Sequence, residues 1–215
     1  MGKGIYNEKR YFMVNDRIEN PIASEWKKRH SDLTEEVKKK LEALEKLKPK
    51  EYQLRLIKKT KPVLQEGDVF VLSQRENLYF YGKVLRVNID HIEKDTFVHG
   101  KNVVFIFNNK TTKQTIDDFE PDYSKLLIRP CIVDVSYWNK GLFFNVGKTE
   151  ISDFEKKINY GFYKIGINSN WYCKEDGTVL DYKPDFVGIF GIATINGIAS
   201  QIEKEIIINT DLLNF

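Results

Sequence analysis

Residues 67–87, GDVFVLSQRENLYFYGKVLRV, decide the fold of this chain. A Gly-Asp turn leads into a run of β-branched and aromatic residues, and a turn over residues 74–77 separates it from a second run. The second run is apolar on both of its faces, one with Leu78, Phe80 and Val84 and the other with Tyr79, Tyr81, Leu85 and Val87. We therefore predict two paired strands, the second lying inside a sandwich or barrel or beneath a helix. Gly82 is predicted to mark a bulge or a bend in that strand.

Further strand-like segments follow at short intervals as far as residue 190. CIVDVSYW (131–138) alternates like a half-exposed strand, and the turn NKG predicts a hairpin with LFFNVG (142–147). Residues 197–208 fit either a helix or a strand. The pattern as a whole predicts a mainly β protein of the α+β class, either a β-rich sandwich or a partly open SH3-like barrel with a helical N-terminal extension.

The N-terminal part has the apolar spacing of helices instead of strands. Leucine and valine recur at helical spacing between Leu33 and Leu47, and Asp32 with Glu35 forms a plausible capping pair. A second helical piece is predicted for EYQLRLIKK (51–59). We accordingly divide the chain into a basic helical extension, residues 1–62, and a β-rich domain, residues 63–215.

Charge follows the same division. Residues 1–62 carry 17 lysines and arginines against 10 aspartates and glutamates, whereas residues 63–215 carry 17 against 21. A basic front is typical of nucleic-acid contact, and an acidic body is typical of contact with a basic partner.

Composition excludes several classes of protein. Of the 215 residues, 41% are hydrophobic and 30% charged, and no apolar run approaches the length of a membrane span. The first residues have no apolar signal-peptide core, which predicts a cytoplasmic protein without membrane contact. Cys131 and Cys173 are far apart and are expected to be free thiols in the core.

No pattern of catalytic, cofactor-binding or metal-binding residues is recognisable. His91 and His99 are eight residues apart in a polar segment and are expected to be ordinary surface histidines. The segment IDDFEPDYSK (116–125) offers three alternatives: a divalent-cation site, a solvated loop, or a patch facing a basic partner. A non-enzymatic protein without cofactor is the prediction.

The chain resembles a known family in a series of short segments. They are EGDVFVL, LYFYGKVLRV, VVFIFN, RPCIVDVSYWNKGLFFNVG and GIATINGIASQIEKEI, which together span residues 63–208. This progression is similar to the immunity protein 26 family of bacterial polymorphic toxin systems. The resemblance implies a cytoplasmic, β-rich, non-catalytic protein that binds a cognate toxin.

A toxin that attacks nucleic acid would be basic, so the acidic body suggests a contact surface. The expected toxin-binding residues are acids of one segment and nearby aromatic anchors: Asp117, Asp118, Glu120, Asp122, Tyr123, Tyr137 and Trp138. The aromatic residues have core packing as their alternative role. The alternative function is nucleic-acid binding through an SH3-like barrel and the lysine-rich N-terminal helix.

Overall fold

The computed structural model describes residues 19–166 and 169–214, so the first 18 residues of the predicted extension lie outside the described part. The described residues contain five α-helices, with the bounds α1 Pro21–Ser31, α2 Glu35–Lys46, α3 Ser136–Asn139, α4 Asp153–Lys157 and α5 Ile195–Ile208. They also contain nine strands, with the bounds β1 Asp68–Arg75, β2 Leu78–Arg86, β3 Asn102–Thr111, β4 Leu126–Val133, β5 Phe143–Lys148, β6 Tyr160–Ile165, β7 Asn170–Cys173, β8 Val179–Leu180 and β9 Phe186–Ile189.

The nine strands form two sheets, one of five strands and one of four. The first is antiparallel with the strand order β4-β3-β2-β1-β5, and the second has the order β8-β7-β6-β9, with β9 parallel to β6. The predicted pairing of β1 with β2 is confirmed. The first sheet is open, with β4 and β5 at its opposite edges, and the predicted β-rich α+β class is confirmed.

The five-stranded sheet is buried on both faces, as the β2 pattern predicted. Phe80 and Val84 pack towards α5, which contributes Ile198 and Ile202 to the same core. On the other face Tyr81 and its neighbours pack against residues of β6 and β7. The order of layers is therefore helix, five-stranded sheet, four-stranded sheet. Residues 197–208, ambiguous in sequence, are helical because their isoleucines at helical spacing cover the outer face of the first sheet.

Gly82 has a specific packing role. It lies directly opposite Phe70 of β1, and a methyl group at position 82 would lie 2.2 Å from Cζ of that ring. The pairing of β2 with β3 is also irregular between Phe80 and Gly82, but the extra residues belong to β3, so the irregularity lies opposite Gly82 and not in its own strand. A second irregularity between Val84 and Arg86 alters the alternation, and the prediction for Val87 is wrong: it packs with the α5-facing core.

Several local predictions are wrong. The helix α2 begins after Thr34, whose side chain accepts a hydrogen bond from the Val37 backbone N–H, so Asp32 is not its cap. Apart from a 3-10 turn at Pro49–Glu51, residues 51–59 are not helical. Instead the segment runs extended beside the body, where the Ile57 backbone N–H donates to the Gly141 carbonyl at 2.7 Å. The helix α1 was not predicted from the sequence.

The predicted hairpin after residue 131 is also wrong. β4 ends at Val133 and pairs with β3, whereas β5 pairs with β1 on the far side of the sheet. The intervening Tyr137 and Trp138 lie in the short helix α3, which carries the chain across the sheet. Local alternation predicted the strands but not their partners, because β5 pairs with the distant β1 instead of with β4, the strand that precedes it.

The two cysteines are buried and free, as predicted. Burial raises the pKa of each thiol to about 12, so both are protonated core residues at neutral pH. Within the described residues, none of the helices has the length and apolar character that crossing a bilayer requires.

Candidate functional site

The acidic segment predicted to face a partner lies between β3 and β4, and we call residues 112–122 the acidic loop. Asp117, Asp118 and Glu120 are exposed, and within the described residues none of the three forms an ion pair. Asp122 differs, because its carboxylate accepts from the Ser124 backbone N–H at 3.0 Å and lies 3.1 Å from the Lys125 ammonium. Three carboxylates of the four therefore lack an ion-pair partner in the part of the chain that the structure describes.

The acidic loop is held to the sheet along its length. The Tyr81 hydroxyl donates to the Thr115 carbonyl at 2.8 Å, and Thr111 Oγ1 donates to Asp118 at 3.2 Å. Phe119 turns inward, is only 8% exposed, and lies 5.3 Å from the Tyr81 ring. The exposed carboxylates consequently project from a segment whose backbone is anchored by a buried side chain.

The three aromatic residues expected to anchor a partner lie inside the molecule. Tyr123 is 8% exposed, Tyr137 2% and Trp138 0%. Trp138 Nε1 donates to Asn145 Oδ1 at 2.6 Å, and its ring meets the edge of Phe70 at 5.3 Å. The Tyr137 hydroxyl donates to the Ala193 carbonyl. These side chains pack the core, so the acids are the part of the predicted site that is available to a partner.

Phe154, which sequence reasoning missed, is the exposed aromatic residue beside this region. It is 58% exposed on α4 and its ring lies 5.4 Å from that of Tyr123, the residue that follows the acidic loop. A local signal for α4 was present, because Ser152 and Glu155 form a capping box in which each side chain binds the other's backbone N–H. A helix start at this point places Phe154 in the first turn.

A buried ion pair lies beneath the acidic loop and α4. Lys83 of β2 is 1% exposed and Glu155 of α4 is 2% exposed, and the Lys83 ammonium lies 2.7 and 2.8 Å from the two carboxylate oxygens. The ammonium also donates to the Glu150 carbonyl at 3.0 Å. The Tyr123 hydroxyl donates to Glu155 at 2.6 Å. This buried pair therefore joins the central strand, α4 and the end of the acidic loop.

The Glu155 carboxyl group of the pair is ionised at neutral pH. Burial alone would raise the pKa of Glu155, but the hydrogen bonds from Lys83, Tyr123 and the Ser152 backbone outweigh it and hold the pKa below its ordinary value. Burial, together with the bond to this carboxylate, raises the pKa of the Tyr123 phenol far above its usual range. Tyr123 is thus a permanent donor to Glu155.

A second concave surface is covered by α1. A groove of about 980 Å³ lies between α1, β4, β9 and α5. Glu25 binds Arg129 and Lys183 at 3.0 and 2.6 Å across it, and Arg29 binds Glu205 at 2.7 Å. No residue of α1 is fully buried. Surface ion pairs thus hold this helix against the body.

The three histidines, His30, His91 and His99, are not arranged with other described residues to bind a metal ion. The expectation that His91 is a surface residue is wrong: it is 1% exposed, and its Nδ1 accepts from the Glu93 backbone N–H at 2.9 Å. In the part of the chain that the structure describes, no cluster of three or more histidine, cysteine or acidic side chains is arranged to hold a metal ion. The acidic loop is therefore described by its charge and not by coordination.

Comparison with known proteins places the chain in a family. No curated protein and no solved structure matches it. A family model, described as Immunity protein 26, matches residues 65–173, a span of half the chain that runs from the turn before β1 to the end of β7. It includes Lys83, the acidic loop and Glu155, whereas α5, which the sequence resemblance also covered, lies beyond it. The chain belongs to the immunity protein 26 family.

Proposed function

We propose that this protein is a cytoplasmic immunity protein that binds a cognate protein toxin and inhibits it by covering it, without chemistry of its own. Membership of the immunity protein 26 family supports a toxin as the partner. A protein that inhibits by binding needs a stable scaffold and an exposed complementary surface. The five-stranded sheet, which is buried on both faces, is such a scaffold.

The acidic loop is the proposed contact surface. The observation that carries the proposal is the exposure of Asp117, Asp118 and Glu120, which form no ion pair with any described residue, on a segment anchored by Phe119 and Tyr123. Unpaired carboxylates attract a basic partner during diffusion and favour pairing with its cations on contact. Anchoring reduces the ordering cost that a mobile loop would add on binding.

Phe154 supplies the apolar part of the same surface. Exposed aromatic residues contribute strongly to binding when a partner buries them, and charged contacts then surround them as a rim. The proposed toxin therefore has a basic surface, as a nuclease would, with an apolar depression for one aromatic ring.

Nucleic-acid binding by the N-terminal lysines has less support. In α2, Lys38 lies 2.9 Å from Glu35 and Lys40 lies 2.7 Å from Glu36, so these ammonium groups face carboxylates of their own helix. Phosphate binding would have to displace both acids.

The function is tested by co-expression with the protein encoded by the gene beside that of this chain. We expect that protein alone to arrest growth, and this chain to restore growth and to copurify with it. Growth arrest that persists despite abundant folded chain, or a neighbour that is harmless when expressed alone, would contradict the proposal.

A further inference from the structure

A second exposed surface lies at the other end of the four-stranded sheet. Phe97, Ile165 and Ile189 are 60%, 67% and 57% exposed, and all three line one groove of about 360 Å³. We call these three side chains the apolar patch. Exposed apolar residues grouped in this way mark interaction surfaces, whereas single ones are ordinary on a protein surface.

The apolar patch is separate from the acidic loop. Tyr160, at the start of β6, packs at 5.6 Å against Phe105, which in turn lies 5.4 Å from Tyr123 at the end of the loop. Ile165 is the last residue of the same strand. At the rise of a strand, the two ends of β6 are about 17 Å apart. A partner on the patch can therefore leave the acidic loop free.

Two opposite charges border the apolar patch. Glu93 and Lys164 both line its groove, and within the described residues neither forms an ion pair. The Lys164 ammonium lies instead over the rings of Phe190 and Trp171, at 4.7 and 5.4 Å. Among residues 19–166 and 169–214, therefore, the cation and the anion at this patch have no partner of opposite charge.

We propose that the apolar patch is a self-association surface, on which a second copy of this chain packs about a two-fold axis. In such a contact the patch meets itself, and the proposed axis is the one that brings Glu93 of each copy to Lys164 of the other, which forms two equivalent ion pairs. A basic toxin gains less attraction here than at the acidic loop, because Glu93 and Lys164 balance each other in charge whereas the loop carries exposed acids. Three side chains form only the centre of an interface, so the dimer is expected to be weak and concentration-dependent.

The test is the molar mass of the full chain in solution, measured by sedimentation over about a hundredfold range of concentration. We expect a monomer–dimer equilibrium that Phe97→Asp abolishes. Glu93→Lys alone and Lys164→Glu alone should each raise the dissociation constant about tenfold or more, since like charges then meet at both contacts. The double variant E93K/K164E should restore it to within about threefold of the unaltered chain.

Glu76→Lys, an exposed reversal in the β1–β2 turn, is the matched control and should leave the equilibrium unchanged. A chain that stays monomeric at every concentration would overturn the proposal, as would a dimer unaffected by F97D or a double variant no better than the single ones. A monomer whose toxin binding is weakened by F97D would assign the patch to the toxin and also overturn it. Circular dichroism of each variant separates loss of contact from loss of fold.

Discussion

The ion pair Lys83–Glu155 is buried, whereas the ion pairs of α1 are exposed to solvent. Lys83 and Glu155 are both almost fully buried, and the carboxylate also accepts from Tyr123 and the Ser152 backbone. Glu25 of α1 is 45% exposed where it meets Arg129 and Lys183, and Arg29 is equally exposed where it meets Glu205. Water and salt reach the second set and are excluded from the first.

This difference in burial means that the acidic loop and α4 are fixed to the sheet more firmly than α1 is. A buried pair is costly to break, because the remaining charge stays in the interior without a partner. An exposed pair is worth about 0–1 kcal/mol, since water replaces each lost partner. We therefore expect the acidic loop and α4 to move with the sheet, and α1 to open before the rest of the fold.

The largest effect is expected from breaking the buried pair. Lys83→Met leaves Glu155 buried without its cation, and the free energy of unfolding should fall by about 3–5 kcal/mol. Urea unfolding at neutral pH measures it. The double variant K83M/E155Q is the control, because it removes both charges while the amide oxygen at position 155 still accepts from Tyr123, and it should recover part of the loss. A loss below about 1 kcal/mol in K83M would contradict the role given to this pair.

An intermediate effect is expected from pH. The pKa of Glu155 is depressed in the folded protein, so its ionised form stabilises the fold above the unfolded pKa, and this contribution is lost as pH falls through the lower folded value. The difference in unfolding free energy between the unaltered chain and Glu155→Gln should be constant above about pH 5 and shrink below it. A difference that stays constant down to the onset of acid unfolding would show that the carboxylate titrates normally.

The smallest effect is expected at α1. Glu25→Ala removes two exposed ion pairs and should lower the global unfolding free energy by about 1 kcal/mol or less. Amide exchange in α1 should nevertheless accelerate, and added salt should accelerate it in the unaltered chain. Lys27→Ala, an exposed residue of the same helix, is the control. Exchange in α1 as slow as in β2 would contradict the comparison.

Strand pairing was predictable from the sequence where the paired strands are neighbours along the chain, and not where they are far apart. The β1–β2 pair was predicted because two short apolar runs joined by a turn are neighbours in sequence and in space. The partners of β4 and β5 were not, because those strands pair with β3 and β1 on opposite sides of the sheet. For α5 the isoleucines suited both helix and strand, and burial against the sheet decided between them.

The exposed acids of the candidate site were predicted from the sequence, whereas the buried ion pair beneath them was not. Composition located Asp117, Asp118 and Glu120, because exposed acids need no tertiary partner. Lys83 and Glu155 are 72 residues apart, and no local pattern joins them. A lysine inside an apolar strand was nevertheless a usable signal, since such a charge requires a buried partner. The division into residues 1–62 and 63–215 stays a prediction, although Leu54 packs in the core beneath α5.

The central claim, that the acidic loop binds the toxin, is tested most directly by an affinity measurement on a charge-reversed loop. The triple variant D117K/D118K/E120K is compared with E42K/E45K/E76K, which changes the net charge equally at exposed acids elsewhere. With the toxin encoded beside this gene, titration calorimetry should show the loop variant binding at least about a hundredfold more weakly, and the control within about threefold of the unaltered chain. Equal affinities for the loop variant and the control would contradict the account.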